Sequence, residues 1–208
     1  MVTRVNVHQV LRLLPLLLFL TGCLPTGQPL RARALTPSLA ITEHITSNYS
    51  FAQDFKLLGT RTLPDGKVAG VYTYSESGGG SEPDTDYIGY AVAEQRAPVQ
   101  WDVVVTSSTG RPHLSKWNLP IDYAVYQATY TAVFGPILSE DVTAVEVGFA
   151  DGEVAREQVA KDYFLLFSPS GSDACQIQVI GSEAQVLYET VFSPHSEESD
   201  DCPESAPK

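Results

Sequence analysis

The chain has 208 residues, 43% hydrophobic and 18% charged, a balance that fits a folded globular protein and excludes a disordered one. Its formal net charge is −12. Nucleic-acid phosphates would repel such a surface, and an anionic bilayer would give it no electrostatic foothold, so no nucleic acid is expected among its partners.

Residues 1–10 carry one basic side chain, Arg4, and no acid, and Arg12 precedes the apolar block Leu13-Leu14-Pro15-Leu16-Leu17-Leu18-Phe19-Leu20. A basic lead followed by a short apolar block is the layout of a secretory signal. A helix that crosses a bilayer core needs about 20 apolar residues; this block is shorter, and Pro15 interrupts it. It ends Leu20-Thr21-Gly22-Cys23. That ending resembles the lipobox of bacterial lipoproteins, in which an aliphatic residue and two small residues precede a cysteine. The resemblance implies that 1–22 is a lipoprotein signal peptide, that the Cys23 thiol is acylated with palmitate-type chains, and that the new amino group is usually acylated too. The other reading is an ordinary signal peptide with a chance cysteine after it, whose cleavage site would want a small residue where Leu20 stands. Each buried methylene contributes about 0.8 kcal/mol, and two or more chains anchor stably. The implied address is the cell envelope, with the protein lipid-anchored to a membrane and its domain outside the cytoplasm. Loss of 1–22 removes Arg4, Arg12 and no acid, leaving 11 basic against 25 acidic residues, net −14.

Residues 23–37 contain Pro25, Pro29, Pro37 and Gly27 and read as a flexible tether. A helix is expected from Ser38, its cap, to Phe55, because Leu39, Ile41, Ile45, Tyr49 and Ala52 recur near the helical period. The pattern then turns to period two. Strands are expected at 57–63 and 68–76 around the turn Pro64-Asp65-Gly66, and at 87–95 and 100–106 around Pro98. Trp101 shares parity with Val103 and Val105 and is expected to face the core. Residues 123–134 read as one half-buried strand, with Ala124, Tyr126, Ala128, Tyr130, Ala132 and Phe134 on one face. Further strands are expected at 142–149, before the turn Asp151-Gly152; at 163–167, apolar throughout and so buried on both sides; around Cys175, Ile177 and Val179; and at 186–192. The sum is a mainly β fold, an antiparallel β-sandwich or open barrel with one N-terminal helix, in a single domain over 38–192. Residues 193–208 read as an acidic disordered tail. The run Val145-Glu146-Val147, Asp151-Gly152 and Tyr163-Phe164-Leu165-Leu166-Phe167 is similar to small uncharacterised exported β-domains of bacteria, a likeness that carries no activity.

Cys175 and Cys202 are an even pair in an oxidising compartment and are expected to form a disulfide. The alternative has Cys175 as a small buried hydrophobe and Cys202 free. Of the three histidines left after cleavage, His44, His113 and His195, none lies three or four residues from another His or Cys, so no zinc spacing is present. His44 reads as a solvated helix residue. Gly78-Gly79-Gly80-Ser81 lacks the ending of a phosphate loop. Asp84-Thr85-Asp86 with Glu82 reads as an acidic turn in preference to a calcium loop, and Asp65, Glu146 and Asp151 read as scattered acids. No catalytic residue, cofactor or metal is assigned.

One stretch stands apart. Residues 107–122, SSTGRPHLSKWNLPID, hold Arg111, His113, Lys116 and Trp117 and no acid until the last position. It is a cationic, aromatic spot on an acidic protein and the candidate binding loop; the plainer reading is a crossover with Trp117 against the core. Two classes of function follow. The first is a non-enzymatic binding or accessory module of the envelope, with membrane lipid and an envelope protein or glycan as partners. The second is an envelope hydrolase whose site assembles only in three dimensions. An extracytoplasmic sensor or regulator is a third.

Overall fold

The computed structural model describes residues 34–78, 84–112, 118–128, 130–168, 170–192 and Cys202. The tail of 193–208 apart from Cys202, the signal segment and Cys23 lie outside the described residues.

Thr36 opens the first element, α1 (Pro37–Asn48). Its extended backbone lets Oγ1 accept a hydrogen bond from Leu39 N at 3.2 Å, and Pro37 fills the first helical position, where a missing N–H costs nothing. The cap is therefore Thr36 and not Ser38. The helix also stops well short of Phe55. Asn48 turns its side-chain amide back to His44 O (2.7 Å), and the run Asn48-Tyr49-Ser50-Phe51 favours non-helical backbone, so the chain has left the helix before Ala52. Upstream, Ala34 is buried and its carbonyl accepts from Trp101 N at 3.1 Å. The fold thus takes in residues 34–37, which the sequence assigned to the tether.

Four strands follow as a meander, β1 (Gln53–Thr62), β2 (Val68–Glu76), β3 (Thr85–Ala97) and β4 (Gln100–Pro112), hydrogen-bonded in that order. The expected turn between β1 and β2 is present: Gly66 has φ +83° and Asp65 Oδ1 accepts from Lys67 N (3.1 Å). The remaining strands are β5 (Ala124–Gln127), β6 (Thr131–Pro136), β7 (Val142–Phe149), β8 (Val154–Gln158), β9 (Tyr163–Ser168), β10 (Ala174–Gly181) and β11 (Val186–Val191). They form two sheets, β5-β6-β9 and β11-β10-β7-β8, and every pairing is antiparallel. The expected strand over 123–134 is instead the hairpin of β5 and β6. Its parity survives the turn, because Ala124 pairs with Phe134 and Tyr126 with Ala132. β8, polar and alternately exposed, was not anticipated.

Period-two alternation arranges these sheets in layers. One face of the meander carries Ala69, Val71, Ile88, Tyr90 and Val92 against Ala124, Ala132, Phe134, Tyr163 and Leu165 of the central sheet. The central sheet's other face carries Val133, Phe164 and Leu166 against Val145, Val147, Phe149, Ile177 and Val179. The meander's second face, with Tyr72, Tyr74, Ala91 and Ala93, is covered by Ala40, Ile41 and Ile45 of α1. The architecture is a β-sandwich with one helix in which a three-stranded middle sheet is shared by two cores. This is why β9 is apolar at successive positions.

β9 is an edge of that middle sheet, and the outward backbone groups of Leu165 are satisfied by side chains from the layers on either side. Glu157 of β8 accepts from Leu165 N at 2.9 Å through Oε2. Arg61 of β1 donates to Leu165 O at 2.5 Å and ion-pairs with Glu157 Oε1. One ion pair thus caps an edge and ties all three sheets together. At the far end of the chain, Cys175 in β10 and Cys202 are joined by a disulfide spanning 27 residues, and Phe192 N donates to Cys175 O (2.9 Å).

Candidate functional site

A groove of about 550 Å³ opens where β1 begins, β2 ends and β3 begins, with Pro136, Ile137, Leu138 and Asp162 closing its other side. Local irregularity in β1 builds it. Asp54 has φ +52°, and the β1–β2 register slips between Gln53 and Lys56 and again between Leu57 and Gly59, so this end of β1 bulges off its neighbour. Behind it, Tyr74 and Tyr87 are direct cross-strand partners whose rings stack 4.6 Å apart and nearly parallel. Tyr87 Oη donates to Glu76 Oε2 at 3.0 Å, and that bond holds the phenol proton and pushes the Tyr87 pKa up. Burial raises the Tyr74 pKa as well, against the hydrogen bond with Ser108 Oγ (3.3 Å).

The rim is acidic. Among the described residues, Asp54, Glu76, Asp84, Asp86 and Asp162 line it against one cation, Lys56, which lies 3.7 Å from Asp162. Asp84 Oδ1 accepts from Gly78 N (3.2 Å), Thr85 and Asp86 already belong to β3, and Glu82 lies outside the described residues. Among the described residues, no group of three or more His, Cys, Asp or Glu side chains could hold a metal ion. The groove can attract positive charge and present aromatic and hydroxyl surface; Ser75 and Ser77 bond to Gln53 and Asp54 at its floor.

The candidate binding loop springs from the same end of the meander, since Thr85 and Asp86 pair with Pro112 and Arg111. Residues 107–112 are the last turns of the β4 ladder and not loop. His113, Lys116 and Trp117 lie outside the described residues. Arg111 is described and is already occupied. Its Nη2 donates to Tyr123 O at 2.6 Å, its Nε stands 3.4 Å from Asp122 Oδ1, and its guanidinium lies over the Tyr123 ring, 5.3 Å from the centroid. Asp122 is 2% exposed; burial pushes its pKa up, while the nearby Arg111 charge opposes that rise. Among the described residues, neither Arg111 Nε nor Asp122 Oδ2 has a hydrogen-bond partner. Arg111 is thus an internal clamp between β4 and the entry to β5.

The other singled-out residues are dispersed. His44 is half-buried on α1. Trp101 packs with Val103 in the cluster under α1. Glu146 pairs with Arg156 (2.6 Å) on the outer face of the third sheet. Asp151, in the β7–β8 turn, accepts from Ser170 Oγ (2.6 Å), Ser172 Oγ (2.7 Å) and Glu153 N (3.0 Å), bonds that hold its pKa below the ordinary range. Asp65 is likewise lowered by Lys67. No protein family, curated protein or solved structure matches the chain.

Proposed function

We propose that this chain is an exported lipoprotein, cleaved before Cys23 and acylated there, whose β-domain works at the membrane face as a non-enzymatic binding or accessory module for an envelope protein or glycan. The observation that carries the reading is the Cys175–Cys202 bond, because such a crosslink persists in compartments outside the reducing cytoplasm. It agrees with the signal layout of 1–22 and with the lipobox residues Leu20-Thr21-Gly22-Cys23. The acidic groove beside the root of the 113–117 loop is the surface offered to a partner, and its surplus of carboxylates suits a basic segment.

Intact-mass measurement on protein extracted from membranes tests the reading. The expected species begins at residue 23, carries lipid on the Cys23 sulfur, and is two hydrogens lighter than the reduced chain. A species that keeps residues 1–22, or one cleaved elsewhere without lipid, overturns it.

A further inference from the structure

Apolar side chains are exposed together where the chain enters the domain. Leu35 is 65% exposed and Val99 64%, with Leu39 at 40%. Ala34 O accepts from Trp101 N, which sets the entering segment against the first residues of β4, two positions from Val99. The β3–β4 turn that carries Val99 reads Ala97-Pro98-Val99-Gln100 and is pinned by a bond from Gln95 Nε2 to Pro98 O at 2.9 Å. An apolar tip on a rigid hairpin is unusual, because turn tips are generally polar. The charges beside it are partly offset: Arg96 lies 3.6 Å from Glu94 and 3.9 Å from Asp102. The sequence between Cys23 and Thr42 has Arg31 and Arg33 and no acid, in a chain that is otherwise strongly acidic.

We infer that this end of the domain, Leu35 and Leu39 with the Pro98–Val99 tip, rests on the lipid surface. The inference builds on the proposed acylation of Cys23. Ten residues, 24–33, lie between Cys23 and Ala34, and at roughly 3.3–3.6 Å per residue even a fully extended chain keeps this end within about 40 Å of the bilayer. The lipid therefore delivers the apolar tip to the interface at a high effective concentration, and the tip needs little affinity of its own. The occupant is a neutral bilayer surface and not an anionic headgroup, since the domain's excess of acid would oppose the latter.

The test uses the full acylated protein in phosphatidylcholine vesicles. An environment-sensitive dye is attached at Val99→Cys, and in a second preparation at Val154→Cys, on the exposed edge strand β8 of the outermost sheet. Flotation of the vesicles reports anchoring independently. The expected result is co-flotation of both proteins, with the emission at position 99 shifted to shorter wavelength and that at 154 unchanged. Co-flotation with no shift at 99, or with equal shifts at both positions, overturns the inference and leaves the anchor standing. Failure of the parent protein to float overturns the anchor and this inference with it.

Discussion

Removing the Glu157 carboxylate should destabilise the domain far more than its place on a polar edge strand suggests. In the Glu157→Ala variant, Leu165 N loses its acceptor in a buried strand, which costs about 1–3 kcal/mol. Arg61 also loses its anion. A fully buried pair broken this way costs about 3–5 kcal/mol, but the Arg61 side chain is 34% exposed, so water recovers much of that. The total comes to about 2–3 kcal/mol. Glu157→Gln keeps an acceptor for Leu165 N and should lose about 1 kcal/mol. The informative variant is Arg61→Met with Glu157→Leu. If the two side chains served only each other, an apolar pair would recover the parent's stability. Because they also satisfy Leu165 N and Leu165 O, the double variant should stay about 2 kcal/mol below the parent. Urea unfolding followed by tryptophan fluorescence, at constant m, measures all of these. A Glu157→Ala loss under about 0.5 kcal/mol, the scale of an ordinary surface change, or full recovery in the double variant, would refute the reasoning.

Four further outcomes are expected. Gly135→Ala places a Cβ on the backbone carbonyl of Asp122, which cannot rotate away, and should cost about 3 kcal/mol in the same unfolding assay; a near-neutral result would mean that the entry to β5 yields freely. Reducing Cys175–Cys202, which closes 27 residues, should cost about 3–4 kcal/mol, seen as a lower urea midpoint with reductant; an unchanged midpoint would mean that the tail adds nothing. Burial raises the Asp122 pKa above its ordinary 3.8, so the folded protein holds this proton more tightly than the unfolded chain. The parent's stability relative to Asp122→Asn should therefore be greatest at low pH and fall as pH rises from 3.8 through the raised pKa; a difference flat with pH, or of opposite slope, would contradict the burial argument. Asp151 has the opposite sign: its contribution is present above the ordinary pKa and lost as pH falls through the lowered one. Ser170→Ala with Ser172→Ala should move its carboxyl titration, followed by NMR, back up toward the ordinary range.

The strands were legible wherever period-two alternation ran undisturbed, as in Val145, Val147 and Phe149, or where a run such as Tyr163–Phe167 was too apolar for one buried face. Parity failed at bulges. Trp101, Val103 and Val105 alternate as if on one face, yet the β3–β4 register slips at Val104, so Trp101 and Val103 pack under α1 while Val105 faces the central sheet. The same kind of slip in β1 builds the groove, whose walls come from 53–58, 73–77, 84–87, 136–138 and 162, and no local pattern joins residues so far apart. Residues 154–158 gave no signal because β8 alternates exposed and half-exposed positions and has no apolar stripe.

Within the stretch 107–122, Arg111 is the candidate binding residue whose surroundings the structure describes. The stretch stood out as cationic because its first acid is its last residue, Asp122. Folding brings that acid back onto Arg111, so the Arg111 charge is matched within the stretch itself. An arginine that donates to a backbone carbonyl, covers a tyrosine ring and faces a buried carboxylate is held by three constraints, and a partner would have to break all three to recruit it. Beside Arg111 the described residues offer the groove instead, where Asp54 and Glu76 line an open cleft and a basic segment would meet complementary charge.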